Sequence, residues 1–172
     1  MLGPDVSASP QPIPDTTFVT WGDALDFFLV ATEFPLSTKN NPSEDELEKK
    51  KKSVIEGAKK FYEKFQKPII VRNGYFNVKY SWKGQEFYQI GSIPWISDPE
   101  AKLKESQYEF NTVDHARTVH AYFRAIAGRP WVVGYFHFGY THWEDPLSPW
   151  MSIRSKPAED VWHKWNKVIY GL

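Results

Sequence analysis

The chain has 172 residues, enough for one domain with a sizeable core, and its 21 basic residues balance its 21 acidic ones. That neutrality leaves no electrostatic footprint for nucleic acid or an anionic membrane surface, and no apolar run reaches the roughly 18 residues of a bilayer span. The absence of cysteine excludes disulfides, thiol nucleophiles and zinc–thiolate sites.

Residues 1–17 carry Pro4, Pro10, Pro12 and Pro14 among Ser, Asp and Thr, and read as a Pro-rich N-terminal loop. The first seven residues lack the basic and apolar parts of a secretory leader, and the compartment stays open. Residues 18–25 suit a short helical turn leading into a strand at 26–32, Asp-Phe-Phe-Leu-Val-Ala-Thr. A polar loop then runs to Pro42. Ser43, with Glu46 three residues on, is a capping box that opens a helix. Its apolar positions, Leu47, Val54, Ile55, Ala58, Phe61, Tyr62 and Phe65, share one face, and the run Lys49 to Lys52 reads as a solvated face.

Lys67-Pro-Ile-Ile-Val-Arg-Asn-Gly-Tyr75 follows. An Ile/Val run bounded by Pro and Gly predicts a parallel strand buried on both faces. Residues 76–111 have no clean period and form a long insertion rich in aromatics. Asn111 or Thr112 then caps a helix with Val113, Ala116, His120, Phe123 and Ala127 inward, closed by Gly128. A third strand covers 131–138, a loop covers 139–155, and Pro157 starts a last helix with Val161, Trp165, Val168 and Ile169 packed. Strand, helix, strand, helix, strand, helix is the repeat of an α/β fold with a parallel sheet.

Three passages then resemble the C-terminal half of (β/α)8-barrel glycoside hydrolases of the retaining superfamily that includes β-mannanases and cellulases. Trp21 to Ser37, with Asp26-Phe-Phe-Leu-Val-Ala-Thr and Phe34-Pro-Leu-Ser37, is similar to the sixth strand of that family. Tyr62 to Tyr75, with Lys67-Pro-Ile-Ile-Val, is similar to the seventh. Asp114 to Arg117, Gly128-Arg-Pro-Trp-Val-Val-Gly-Tyr-Phe136 and Lys156-Pro-Ala-Glu-Asp-Val161 resemble the seventh helix, the eighth strand and the opening of the eighth helix. The resemblance implies a partial TIM (β/α) barrel spanning residues 18–172, roughly units six to eight, with the long insertion after the middle strand. It also implies a chain belonging to a longer barrel, or one that closes with a missing N-terminal half or by self-association.

Where the family carries its nucleophilic Glu, the matching position reads Asn73, preceded by Arg72. A carboxamide cannot form the covalent glycosyl intermediate of retaining hydrolysis. The acid/base Glu of the family belongs to a strand before this segment. The resemblance therefore implies a carbohydrate cleft without a complete catalytic pair, or a non-catalytic sugar-binding or docking descendant.

In such barrels the C-terminal strand ends form the active face. Glu33 is the carboxylate there, either a pocket residue with a catalytic role or an ion-pair partner of Arg72, and the ion pair is the favoured reading. The substrate-binding candidates are Arg72, Tyr75, His137, Tyr140, Trp143 and Glu144, with Trp82, Trp95 and Trp150 as further loop aromatics. Stiff aromatic faces suit the apolar faces of sugar rings, so a β-linked oligo- or polysaccharide is the expected partner. His137 equally suits a core or pocket floor, and Glu144 and Asp145 a solvated loop. His137, His142 and Glu144 crowd one strand end with no second cluster, so no metal and no cofactor is expected.

Overall fold

The computed structural model describes residues 19–84, 109–137, 139–140 and 145–172. In order these form β1 (Phe28–Ala31), α1 (Glu44–Phe65), β2 (Ile69–Asn73), α2 (Thr112–Ile126), β3 (Val132–His137) and α3 (Pro157–Tyr170). Short 3-10 turns at Gly22–Ala24 and Ser81–Lys83 complete the described elements.

The helix ends follow the local chemistry of the sequence. Ser43 Oγ accepts from the Glu46 amide at 3.1 Å while the Glu46 carboxylate accepts from the Ser43 amide at 2.9 Å, so the capping box satisfies two orphan donors of α1. α1 stops at Gln66, which takes a left-handed φ of 52° just before the Lys67-Pro68 pair. Asn111 caps α2 by accepting from the Asp114 amide at 2.9 Å. α3 opens on Pro157, whose missing N–H costs nothing in a first turn, and ends on Gly171 at φ 68°.

The sheet runs in sequence order, β1-β2-β3, with both pairs parallel. Each connection is a helical crossover. Successive crossovers of one hand stack their helices on one face of such a sheet, and α1 packs on α2, and α2 on α3. The core lies between. Phe28 and Val30 of β1 and Ile69 and Val71 of β2 meet Ile55, Ala58, Phe61, Val119, Tyr122 and Phe123 from α1 and α2. Phe28 packs on Phe61 and Phe65 at 5.1 and 5.2 Å, and Phe123 lies 4.8 Å from Trp162 and 5.1 Å from Tyr135. Gly22 is a packing requirement. A Cβ there would meet the Phe65 ring at 2.6 Å.

The opposite sheet face carries no described element, which corrects the expectation that β2 is buried on both faces: its Ile70 and Arg72 are only half-buried. Leu29 is 54% exposed, Val133 58% and Phe136 48%. Because all three helices take the same side, β1 and β2 alternate between core and open face, while β3 departs from strict alternation at Val133, where its register with β2 shifts. Three helix assignments also change. Val113 sits in the first turn of α2 and is exposed, while His115, Thr118, Val119, Tyr122, Phe123 and Ile126 turn inward. Val168 and Ile169 are exposed in the last turn of α3, where they line a groove beside β3. Lys51, from the run read as solvated, is fully buried. The 1–17 loop and most of the insertion, residues 85–108, lie outside the described residues.

Candidate functional site

Two polar groups meet at the C-terminal strand ends, one on each side of the sheet. On the open side, Arg72 Nε donates to Glu33 Oε1 at 2.8 Å and Arg72 Nη2 to Oε2 at 3.4 Å. The pair joins β2 to the residue two beyond β1. Its two-point geometry holds the guanidinium plane against the carboxylate. The Glu33 side chain is buried and Arg72 is partly exposed, so the cation presents the wet edge of the pair.

On the helix side the rim is built around Lys51. Its ammonium donates to Thr32 O at 2.5 Å, Thr32 Oγ1 at 3.2 Å, Asn73 Oδ1 at 3.2 Å and Tyr75 OH at 3.4 Å. It also sits 5.0 Å from the centre of the Tyr75 ring and 5.4 Å from that of Tyr122. Four oxygens and two aromatic faces stand in for the hydration shell that burial removes. They do so incompletely: burial pushes the Lys51 amine down to about 7, against the attraction of Glu33. One helical side chain thus ties the ends of β1 and β2 and the loop after β2 together.

Behind it lies a second buried layer. His115 of α2 and His137 of β3 have ring centres 5.9 Å apart. His115 Nδ1 donates to Asn77 Oδ1 at 2.6 Å, and the Asn77 amide donates to Trp150 O and, at 2.9 Å, to Ser152 O. His137 Nε2 donates to Met151 O at 2.7 Å. Burial holds His115 well below the usual range, helped by His137 and Lys156, and brings His137 down to about 4, so both are neutral at pH 7.

These positions sort the site residues expected from sequence. Glu33 and Arg72 are brought together on the open face. Asn73 is not with them: it is wholly buried on the helix side, because alternation along β2 turns it away from Arg72. His137 is buried on the same side, against Trp162. Tyr75 is buried too, donating to Phe34 O at 2.6 Å, and Trp82 is buried with its indole N–H on Lys39 O at 2.9 Å. Asn73, at the position matching the family nucleophile, and His137 and Tyr75, expected among the substrate-binding residues, are thus all enclosed by neighbouring side chains. Tyr140 is exposed, with its hydroxyl on Glu159 at 2.9 Å. Trp150 packs on Phe76 at 5.5 Å. Trp95, His142, Trp143 and Glu144 lie outside the described residues. Among the described residues no group of three or more His, Cys, Asp or Glu could hold a metal.

Solved structures with this arrangement exist. The chain is similar to the GH113 β-mannanase AaManA from Alicyclobacillus acidocaldarius, solved in complex with ManMIm, with a TM-score of 0.59 at 19% identity. It is similar also to a GH113 β-1,4-mannanase, with a TM-score of 0.52 at 17% identity. The likeness is one of fold. It covers 88% and 86% of this chain but only 42% and 41% of those chains, so this chain spans well under half their length. No family model and no curated protein matches it. The chain is therefore an α/β protein with a parallel sheet, similar in fold to part of a TIM-barrel glycoside hydrolase.

Sequence reading missed Lys51, His115 and Asn77. A signal for Lys51 was present: Leu47, Lys51 and Ile55 stand four residues apart, on one stripe of α1. His115 and Asn77 left none, because a buried polar pair between an irregular loop and a helix has no period.

Proposed function

We propose that the chain is the portion of a glycoside-hydrolase-like (β/α) barrel containing its last three units, and that it contributes one wall of a carbohydrate cleft without a complete catalytic pair of its own. The observation that carries this reading is the uncovered sheet face, apolar along the strands and ending at the rim in the Glu33–Arg72 pair. A sequential parallel sheet with all helices outside is the progression that closes into a barrel when continued, with ligand sites at the C-terminal strand ends. Sugars bind where stiff apolar surface adjoins fixed polar groups. The mannanase likeness in fold agrees with that use of the rim.

Retaining hydrolysis needs two carboxyl groups roughly 5–5.5 Å apart on either side of the bond. At the described strand tips Glu33 is the one carboxylate, and its charge is engaged by Arg72. Neither Arg72 nor Asn73 can act as a glycosyl acceptor, so in this reading the described part of the rim binds rather than cleaves. The test is calorimetric titration with β-mannan, β-glucan and xylan oligosaccharides, paired with a hydrolysis assay. Binding that is lost in Arg72→Met, with no reducing sugar released, supports the reading. Hydrolysis that disappears in Glu33→Gln overturns its non-catalytic part, and absence of binding to every sugar overturns the cleft.

A second reading has its own observation. β1 and β3 each leave one edge unpaired among the described residues, and a groove of about 510 Å³ lies along β3, lined by Pro130, Val132, Val133, Val168 and Ile169. Unpaired edges beside exposed apolar surface are sites of strand addition. In this reading the face docks the strand–helix units that complete the barrel. Light scattering on the purified chain tests it: a discrete dimer shows closure by self-association, a stable monomer with the face open removes the docking role, and aggregation that further units suppress supports it.

A further inference from the structure

We propose that Asn73, His115 and His137 together bind one buried water molecule, which joins β2, α2 and β3 beneath the rim. Each of the three side chains is buried, and each leaves one polar atom without a protein partner: Asn73 Nδ2, His115 Nε2 and His137 Nδ1. Buried polar atoms left so lose their hydration with nothing in return, and native proteins pair them with protein groups or ordered water.

The chemistry of the three atoms is fixed by their neighbours. Asn77 turns its amide nitrogen to two carbonyls, Trp150 O and Ser152 O, so its oxygen can only accept, and His115 must carry its proton on Nδ1. His115 Nε2 is then a bare lone pair. Met151 O likewise fixes the His137 proton on Nε2 and leaves Nδ1 a bare lone pair. Asn73 gives its oxygen to Lys51, which leaves its N–H as the spare donor. The set is two acceptors and one donor. A water molecule is the complement, with two O–H groups to give and lone pairs to receive.

The three side chains are neighbours in one buried layer. Asn73 and His137 are register partners on adjacent strands, and the two imidazole centres are 5.9 Å apart. A water about 2.8 Å from each of two nitrogens spans up to roughly 5.6 Å between them. A metal cation fits the two imidazoles but not the third group, because the Asn73 N–H points its positive end inward and Lys51 lies on the same carboxamide. Buried waters with about three hydrogen bonds are a regular part of protein interiors.

A crystal structure at about 1.3 Å resolution tests this. The expected result is one ordered peak, without anomalous signal at the zinc edge, within about 3.2 Å of all three atoms. A peak with anomalous signal, or side chains rotated so that the three atoms meet protein partners, overturns the proposal. Two further readouts do not depend on a variant folding: ¹⁵N chemical shifts must show His115 protonated on Nδ1 and His137 on Nε2, and the opposite tautomer at either ring overturns it. In His115→Leu the peak is lost. A peak retained at Asn73 and His137 with undiminished occupancy shows that His115 takes no part and overturns the three-atom site.

Discussion

The two faces of this three-stranded sheet are made by the same residues in alternation and yet obey different rules. On the helix side the inward-facing side chains enter a packed core, which closes at the rim in a buried polar layer around Lys51, Asn73, His115 and His137. On the other side Leu29, Val133 and Phe136 stand exposed, and the rim ends in the Glu33–Arg72 pair. The helix face holds the fold; the open face is where a ligand or further strands can meet it. Function is expected where stability is not at stake.

The comparison is sharpest in its dependence on pH. Lys51 titrates near 7 when folded, against an ordinary value of 10.5. Between these values the unfolded chain binds the extra proton, so stability rises with pH across that window. At 1.36 kcal/mol per unit the full effect is roughly 5 kcal/mol. Urea unfolding followed from pH 7 to 10.5 should show the rise in the native chain and lose it in Lys51→Met. A flat profile in the native chain removes the buried ammonium from the account.

Paired truncations give the next largest contrast. Phe123→Ala empties the junction of α2, α3 and β3, where the ring meets Tyr122, Tyr135, Trp162 and Trp165, and should cost about 4 kcal/mol. Phe136→Ala, on the neighbouring strand position but the open face, should change stability by less than about 0.5 kcal/mol in the isolated chain. If Phe136→Ala costs as much as a core truncation, something covers the open face, and the docking reading gains.

That contrast also shows what the sequence carried. The order of elements, the Ser43 capping box and the Pro157 start of α3 were legible because each is a local signal, read within four residues. The Glu33–Arg72 pair was legible because both residues fall at strand ends that the repeat brings side by side. Which face of β2 each rim residue takes was not read, and so Asn73 was set beside Arg72. The Lys49 to Lys52 run concealed Lys51, since three of its lysines do face solvent, and only the spacing from Leu47 to Ile55 separates the fourth. The bare sheet face could be anticipated from three strands with helices on one side. What the long insertion contributes lies outside the described residues.

The acid side extends the comparison to His137, folded near 4 against an ordinary 6.5. Its folded value is depressed, so the unfolded chain takes up the proton first as pH falls. Stability should fall from about pH 6.5 to about pH 4, by roughly 3 kcal/mol, and His115, also held well below its ordinary value by burial, adds to the loss in the same direction. His137→Gln should remove part of that slope, which acid titration of the unfolding midpoint measures.

The smallest effect bears most directly on the open face. Glu33→Gln keeps the shape of the side chain but removes the charge from a pair whose cation is partly in water. The expected cost is about 1–2 kcal/mol, below that of a fully buried charged contact because solvent screens Arg72. A double-mutant cycle with Arg72→Met isolates the coupling, with about 1 kcal/mol expected. A coupling of that size means the pair is a fixed polar edge, held ready for a hydroxyl-rich ligand before one arrives. A coupling near zero means the contact adds nothing to stability and Glu33 is buried for other reasons. The rim would then have to order itself on binding, and sugar affinity would fall by the cost of doing so.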